Sequence, residues 1–220
     1  MKLKQNEQNI LRHEIAFRGQ DVLEKRANSL IIVCGAGALG SNLINLLMRQ
    51  YFPKIRVIDN DKVESHNISN QFFGRSDVGA AKVRALANKL FRDLGYRIDP
   101  INQKLVKGNT KKLFKNASLV IDTFDNFESR EIVKDACQKL DIPCLHAGMS
   151  DDGFSEVKWN DVYRIPKIET IQEDVCEQPL AANLVYFTVC MAAEAIIKFI
   201  DFQTKINLEF TMEDLNISSL

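Results

Sequence analysis

Leu30-Ile31-Ile32-Val33-Cys34-Gly35-Ala36-Gly37-Ala38-Leu39-Gly40-Ser41-Asn42 joins an apolar strand to a Gly-x-Gly-x-x-Gly turn that opens an apolar helix. In such a unit Gly35 allows the tight turn, Gly37 lets the backbone approach a diphosphate, and Gly40 lets helix and strand pack closely. The free N–H groups of the helix start attract negative charge. A second strand, Lys54 to Ile58, ends in Asp59, roughly 20 residues past the glycines, where a carboxylate accepts from ribose hydroxyls. Strand, glycine turn, helix and acid together predict a bound nucleotide.

The flanking residues narrow the choice of nucleotide. Asp59-Asn60-Asp61 runs into Val63-Glu64-Ser65-His66-Asn67-Ile68-Ser69-Asn70-Gln71-Phe72-Phe73, a polar stretch closing on aromatics for which an ordinary dehydrogenase has no use. Asp77-Val78-Gly79-Ala80-Ala81-Lys82 then places a lysine at a helix start, and Val120-Ile121-Asp122-Thr123-Phe124-Asp125-Asn126 is an apolar strand delivering an acid to its carboxyl end. Such strand ends line the ligand crevice of open α/β sheets.

In the order of these motifs, from about Arg12 to the helix near Ala193, the chain resembles the ThiF/MoeB family, bacterial relatives of the ubiquitin-activating E1 enzymes. The resemblance implies an E1-like adenylyltransferase. In that reaction the C-terminal carboxylate of a small ubiquitin-like or sulfur-carrier protein attacks the α-phosphate of ATP, giving an acyl-adenylate and pyrophosphate. It further implies Asp59 as the ribose contact, Lys82 as the phosphate-binding lysine, Asp125 as the Mg²⁺ ligand, and Asn67 as the asparagine of the family's Asp-x-Asp…Asn segment. Asp61 either binds water on the phosphate side or caps the following turn. Arg12, in Leu11-Arg12-His13-Glu14-Ile15, looks like the family arginine that reaches the ATP phosphates of the partner subunit, which implies a homodimer. Where many relatives place an arginine this chain has Asn70, and Arg75 is the nearest candidate for that charge.

These roles agree with the chemistry. ATP brings several negative charges, which Lys82 and an arginine neutralise, while Asp125 with Mg²⁺ orients the phosphates. The attacking carboxylate is already ionised at neutral pH, so no general base is needed, and catalysis is mostly positioning and charge stabilisation.

The chain has five cysteines, Cys34, Cys137, Cys144, Cys176 and Cys190. None form the two Cys-x-x-Cys pairs with which relatives often hold zinc, so no zinc is expected. Cys34, Cys137, Cys144 and Cys190 read as small core residues. Cys176, in Glu173-Asp174-Val175-Cys176-Glu177-Gln178-Pro179, precedes a long helix whose start favours a thiolate, and the E1 branch uses a cysteine in such a crossover segment for thioester transfer. Its three acidic neighbours push the thiol pKa up, so a catalytic and an inert Cys176 both remain open. His13 and His66 read as surface groups, His146 as a residue at the mouth of the crevice that either touches substrate or is a satisfied structural histidine, and Asp122 as a structural partner within its loop.

With 220 residues, 45% of them hydrophobic, the chain can bury a full α/β core. We expect an N-terminal helical arm over residues 1–28 and a single adenylation domain over 29–220. Its class is α/β, with a Rossmann-like, mostly parallel sheet, helices on both faces and an antiparallel edge extension. The polar start Met1-Lys2-Leu3-Lys4-Gln5 has no signal core, and the odd cysteine count fits a reducing compartment, so a cytoplasmic protein is expected. The 29 basic and 29 acidic residues cancel, so the whole chain has no electrostatic footprint for nucleic acid; only a local patch changes that.

The pattern predicts one helical arm over Glu7 to Ala27, then strand 30–33, helix 39–49, strand 54–58, helix 80–94, a strand near Ile98 to Leu105, strand 118–121, helix 127–140 and strand 143–147. Antiparallel strands follow at 153–158 and 161–165, with a final strand at 205–212. Helix Leu180 to Phe202 is long and apolar, but Glu194 and Lys198 make it a core or dimer-interface helix rather than a membrane span. The glycine motif and Asp59 alone would also suit a NAD-dependent oxidoreductase. Asn70 in place of an arginine motivates a catalytically silent member acting as scaffold or half of a heterodimer.

Overall fold

The computed structural model describes residues 5–165 and 180–219. At its centre lies β1 (Ile31–Cys34), all four residues of which are fully buried. A strand covered on both faces must be apolar on both, and a parallel sheet provides such cover. Ile31 and Val33 point into one apolar cluster, packed with α4 (Ala38–Arg49), α5 (Lys82–Leu94) and α8 (Ala182–Phe202). Ile32 and Cys34 point into a second, packed with α6 (Thr110–Leu113) and α7 (Phe127–Leu140).

Among the described residues eight strands form one sheet, in the order β3-β2-β1-β4-β5-β6-β7-β8. β2 (Ile55–Ile58), β3 (Asp99–Ile101), β4 (Leu119–Asp122) and β5 (Cys144–Met149) are parallel to β1. β6 (Phe154–Trp159), β7 (Leu208–Thr211) and β8 (Ile217–Ser219) extend the sheet antiparallel. This is the expected mostly parallel sheet with an antiparallel edge. The register sets the site: Cys34 pairs with Ile58 on one side and with Asp122 on the other. The turns starting at Gly35, Asp59 and Thr123 therefore leave the sheet side by side, at the switch point where strand order reverses.

Several local expectations are corrected. The expected helical arm is present as three helices, α1 (Gln5–Ile10), α2 (Arg12–Arg18) and α3 (Asp21–Asn28), with α2 ended by Gly19 at a positive φ of +88°. The third strand spans only three residues. The strand expected at 161–165 is a turn in which the N–H groups of Val162 and Tyr163 both donate to the Trp159 carbonyl. β8 was not expected at all. α8 is the one described helix long and apolar enough to cross a membrane, yet 67% of its most apolar window is buried inside the fold, against α4, β5 and β6. Its outer stripe carries Cys190, which is exposed rather than in the core.

The arm is fastened to α8. Arg26 donates through Nε to Asp201 Oδ1 at 3.0 Å and through Nη2 to Oδ2 at 2.5 Å, with both side chains fully buried. Arg26 also reaches Glu14 at 3.0 Å, and Arg18 pairs with Glu194 at 2.7 Å.

Candidate active site

A cleft of about 510 Å³ opens at the carboxyl ends of the parallel strands. Gly35, Gly37, Asp59, Asp61, Lys82 and Asp125 line it, together with Asn60, Lys104, Leu105, Thr123, Phe124, Asn126, Glu128 and Ser129. The glycine turn shows why its residues are small. A Cβ on Gly40 would collide with the Gly35 carbonyl, and one on Gly35, whose φ is +103°, would lie 2.9 Å from Thr123 Oγ1. A Cβ on Gly37 would meet nothing within 4 Å; it would occupy the open cleft over the start of α4.

Asp59 is nearly buried, at 7% exposure. Its Oδ2 accepts the Ala36 N–H at 2.7 Å and its Oδ1 the Asp61 N–H at 2.7 Å, so it ties the glycine turn to its own strand end. Burial pushes its carboxyl up, against the lowering effect of those two N–H groups and of Lys82. An ionised carboxylate has about four acceptor positions, which leaves room for ribose hydroxyls.

Residues 61–63 pair with 79–82: the Lys82 N–H donates to the Asp61 carbonyl and the Val63 N–H to the Ala80 carbonyl. This brings the Lys82 ammonium to 3.3 Å from Asp61 Oδ2 at the head of α5. Across the cleft Asp125 is exposed, and its Oδ1 accepts from Asn126 Nδ2 at 3.3 Å. Asn126 caps α7, accepting the Ser129 N–H at 2.9 Å. The first turns of α4 and α7 thus both reach the cleft, each with unpaired N–H groups suited to anions.

Asn67, Asn70 and Arg75 are not among the residues lining the cleft. Asn67 is buried and accepts the Glu64 N–H at 2.8 Å, capping its own 3-10 turn. Its segment is tied to the first turn of α4, where Asn42 Nδ2 donates to the Asn70 carbonyl and the Phe72 N–H donates to Ser41 Oγ. Among the described residues, Asn70 Oδ1 and Gln71 Oε1, buried there, have no hydrogen-bond partner. Arg75 and Arg12 are exposed, on a 3-10 turn and on α2. Cys176 lies outside the described residues. His146 is corrected: it is fully buried behind the cleft rather than at its mouth, with Nδ1 2.8 Å from Asp122 Oδ2 and Nε2 2.8 Å from Asn160 Oδ1. Asp122 accordingly bonds beyond its own loop.

With this geometry in place, the family follows. The ThiF family profile matches residues 10–213. The chain belongs to the ThiF family. Over 126 residues it is 32% identical to tRNA threonylcarbamoyladenosine dehydratase 2 of Saccharomyces cerevisiae, covering 54% of this chain and 28% of that protein. Over 151 residues it is 28% identical to the SAMP-activating enzyme E1 of Haloferax volcanii (67% and 54%). Over 126 residues it is 33% identical to the sulfur carrier protein ThiS adenylyltransferase of Bacillus subtilis (56% and 37%). The matched stretch thus spans about half or less of the length of these curated relatives. Among solved structures, E. coli MccB with AMPCPP and MccA superposes over 100% of this chain and 72% of its own, with a TM-score of 0.80 at 17% identity. E. coli tRNA N6-threonylcarbamoyladenosine dehydratase with ATP superposes over 71% and 68%, with a TM-score of 0.65 at 21% identity. At such identities these likenesses show the shared fold.

Two ThiF-domain residues in the cleft carry no motif that singles them out. Thr123 bridges β4 to the glycine turn, its Oγ1 donating to the Cys34 carbonyl at 2.9 Å, and Lys104 enters from the loop after β3. Neither is marked in the sequence, because the register that sets Thr123 against the glycine turn and the path of the loop after β3 are fixed only in the folded sheet.

Proposed function

We propose that this chain catalyses ATP-dependent adenylation of a carboxylate, as an E1-like enzyme acting on the C-terminus of a ubiquitin-like or sulfur-carrier protein. The observation that supports this most is one cleft shared by the glycine turn, Asp59, Lys82 and Asp125. Among the described residues Lys82 is held by the exposed Asp61 alone, so it can exchange that partner for a phosphate oxygen without leaving a buried charge alone.

Magnesium fits the cleft. Among the described residues no three metal-ligating side chains converge, but Mg²⁺ needs only one or two carboxylates, with phosphate and water completing its shell. Asp125 is the carboxylate that would hold it, and the ion would offset charge on the phosphates. The lining has four carboxylates (Asp59, Asp61, Asp125, Glu128) and two lysines (Lys82, Lys104). A triphosphate there needs further positive charge. We assign that role to Mg²⁺ and to Arg12 of a second copy, which makes the active form a homodimer. Transfer of the activated group to Cys176 is a separate step, read out as a thiol-sensitive adduct with the carrier protein.

A second substrate, a carboxylate borne on a tRNA nucleoside, is supported by the exposed Lys104 in the cleft lining and by the likeness to the yeast dehydratase. ATP–pyrophosphate exchange with ubiquitin-like proteins in one arm and tRNA in the other decides between them. Exchange should require one acceptor, and Lys82→Ala and Asp125→Ala should each lower it by on the order of 10² or more. Full exchange in either folded variant overturns the assignment.

A further inference from the structure

Behind the cleft floor lies a buried polar group that no nucleotide can touch. Asp122, fully buried at the end of β4, accepts the Phe124 N–H through Oδ1 at 3.1 Å and meets His146 Nδ1 through Oδ2 at 2.8 Å. Arg130 Nη1 stands 3.8 Å from the same Oδ2, and this guanidinium also donates to Tyr163 Oη at 2.8 Å and to the Ala147 carbonyl at 3.0 Å. Tyr163 stacks on His146 with ring centroids 4.1 Å apart. Gly148 leaves the guanidinium its place, since a Cβ there would lie 3.3 Å from Arg130 Nη2. Burial works to lower the Arg130 pKa, but Asp122, Tyr163 and Asp125 together raise it above its usual value.

A buried network of this kind is costly unless every member is satisfied, and a satisfied one fixes a single geometry. The geometry fixed here is the turn Thr123–Asp125, whose N–H at Phe124 has no role in the sheet ladder. We propose that Asp122, with His146 and Arg130, is a positioning unit that aims the Asp125 carboxylate into the phosphate end of the cleft and ties that turn to Tyr163. This rests on the reading of the cleft as an ATP·Mg²⁺ site. Groups that orient a metal-binding carboxylate from behind are commonly worth about 10- to 100-fold in metal affinity.

The test is calorimetric titration of the full chain with ATP, with and without Mg²⁺, which needs no acceptor. In the wild type Mg²⁺ should strengthen ATP binding. Asp122→Asn, nearly isosteric, should cut that strengthening by about tenfold while leaving ATP affinity without Mg²⁺ unchanged, a split that general loosening of the fold would not produce. Tyr163→Phe removes one hydroxyl and keeps the stack, so it should fold and show a smaller loss in the same direction. Full Mg²⁺ strengthening in folded Asp122→Asn overturns the proposal; if that variant does not fold, full strengthening in Tyr163→Phe overturns it. A wild type that binds no ATP in either condition overturns the ATP reading itself, and the positioning unit with it.

Discussion

Two nearly buried carboxylates, Asp201 and Asp59, are used in opposite ways. Asp201, on α8, is matched by a buried guanidinium that takes both of its oxygens. Asp59 is matched only by two backbone N–H groups, with Lys82 engaged elsewhere, and burial raises its carboxyl. The first arrangement leaves nothing for a ligand and holds the arm onto the domain. The second leaves acceptor capacity facing a cleft, at some cost in stability, which is the usual mark of a group kept for function.

The largest expected effect breaks the closed pair. Arg26→Ala leaves the Asp201 carboxylate buried and unmatched, and should destabilise the fold by about 3 to 5 kcal/mol in denaturant titration. A loss below about 1 kcal/mol would mean that the pair is solvated in solution and that the contrast with Asp59 does not hold.

A smaller effect separates two glycines of one turn. Gly40→Ala forces a Cβ against the Gly35 carbonyl and should destabilise by about 1 to 3 kcal/mol. Gly37→Ala, whose Cβ meets nothing, should change stability by no more than about 0.5 kcal/mol yet weaken ATP binding, because the methyl fills the phosphate approach. Thermal melting alongside ATP titration checks both, and unchanged ATP affinity in Gly37→Ala would remove the phosphates from that turn.

The finest test concerns pH. Because the folded Asp59 carboxyl is raised, it takes up its proton on acidification before an ordinary carboxylate does. ATP affinity should then fall by about tenfold, the worth of a hydrogen bond to a charged acceptor, as the pH drops through that raised value. Stability runs the other way: the folded state holds this proton more tightly than the unfolded chain, so ionisation of Asp59 costs stability as pH rises from the unfolded to the folded value. Asp59→Asn should flatten both trends.

The cleft end of the molecule was legible in the sequence because its requirements are local. A strand buried on both faces must be apolar throughout, a turn under a phosphate must lack side chains, and an acid must follow the next strand; each condition is met within a few residues of Gly35 and Asp59. The arm was legible as helical, and its division into three helices was set by backbone conformation, at Gly19 by a positive φ. The 161–165 turn was not legible: alternating side chains suggest a strand, but the chain closes on Trp159 instead of pairing with a neighbour.

From its sequence alone this protein's fold class, the place of its cleft in the chain, the acids at its strand ends and the lysine at its helix start were determined, since periodicity and turn chemistry act over short separations. Only the tertiary structure decided that Asp122 reaches His146 on β5, that Arg26 closes on Asp201 at the far end of α8, and that Thr123 and Lys104 enter the cleft. Those contacts join residues from separate elements, and sheet register and helix packing, which bring them together, leave no periodic trace in the chain.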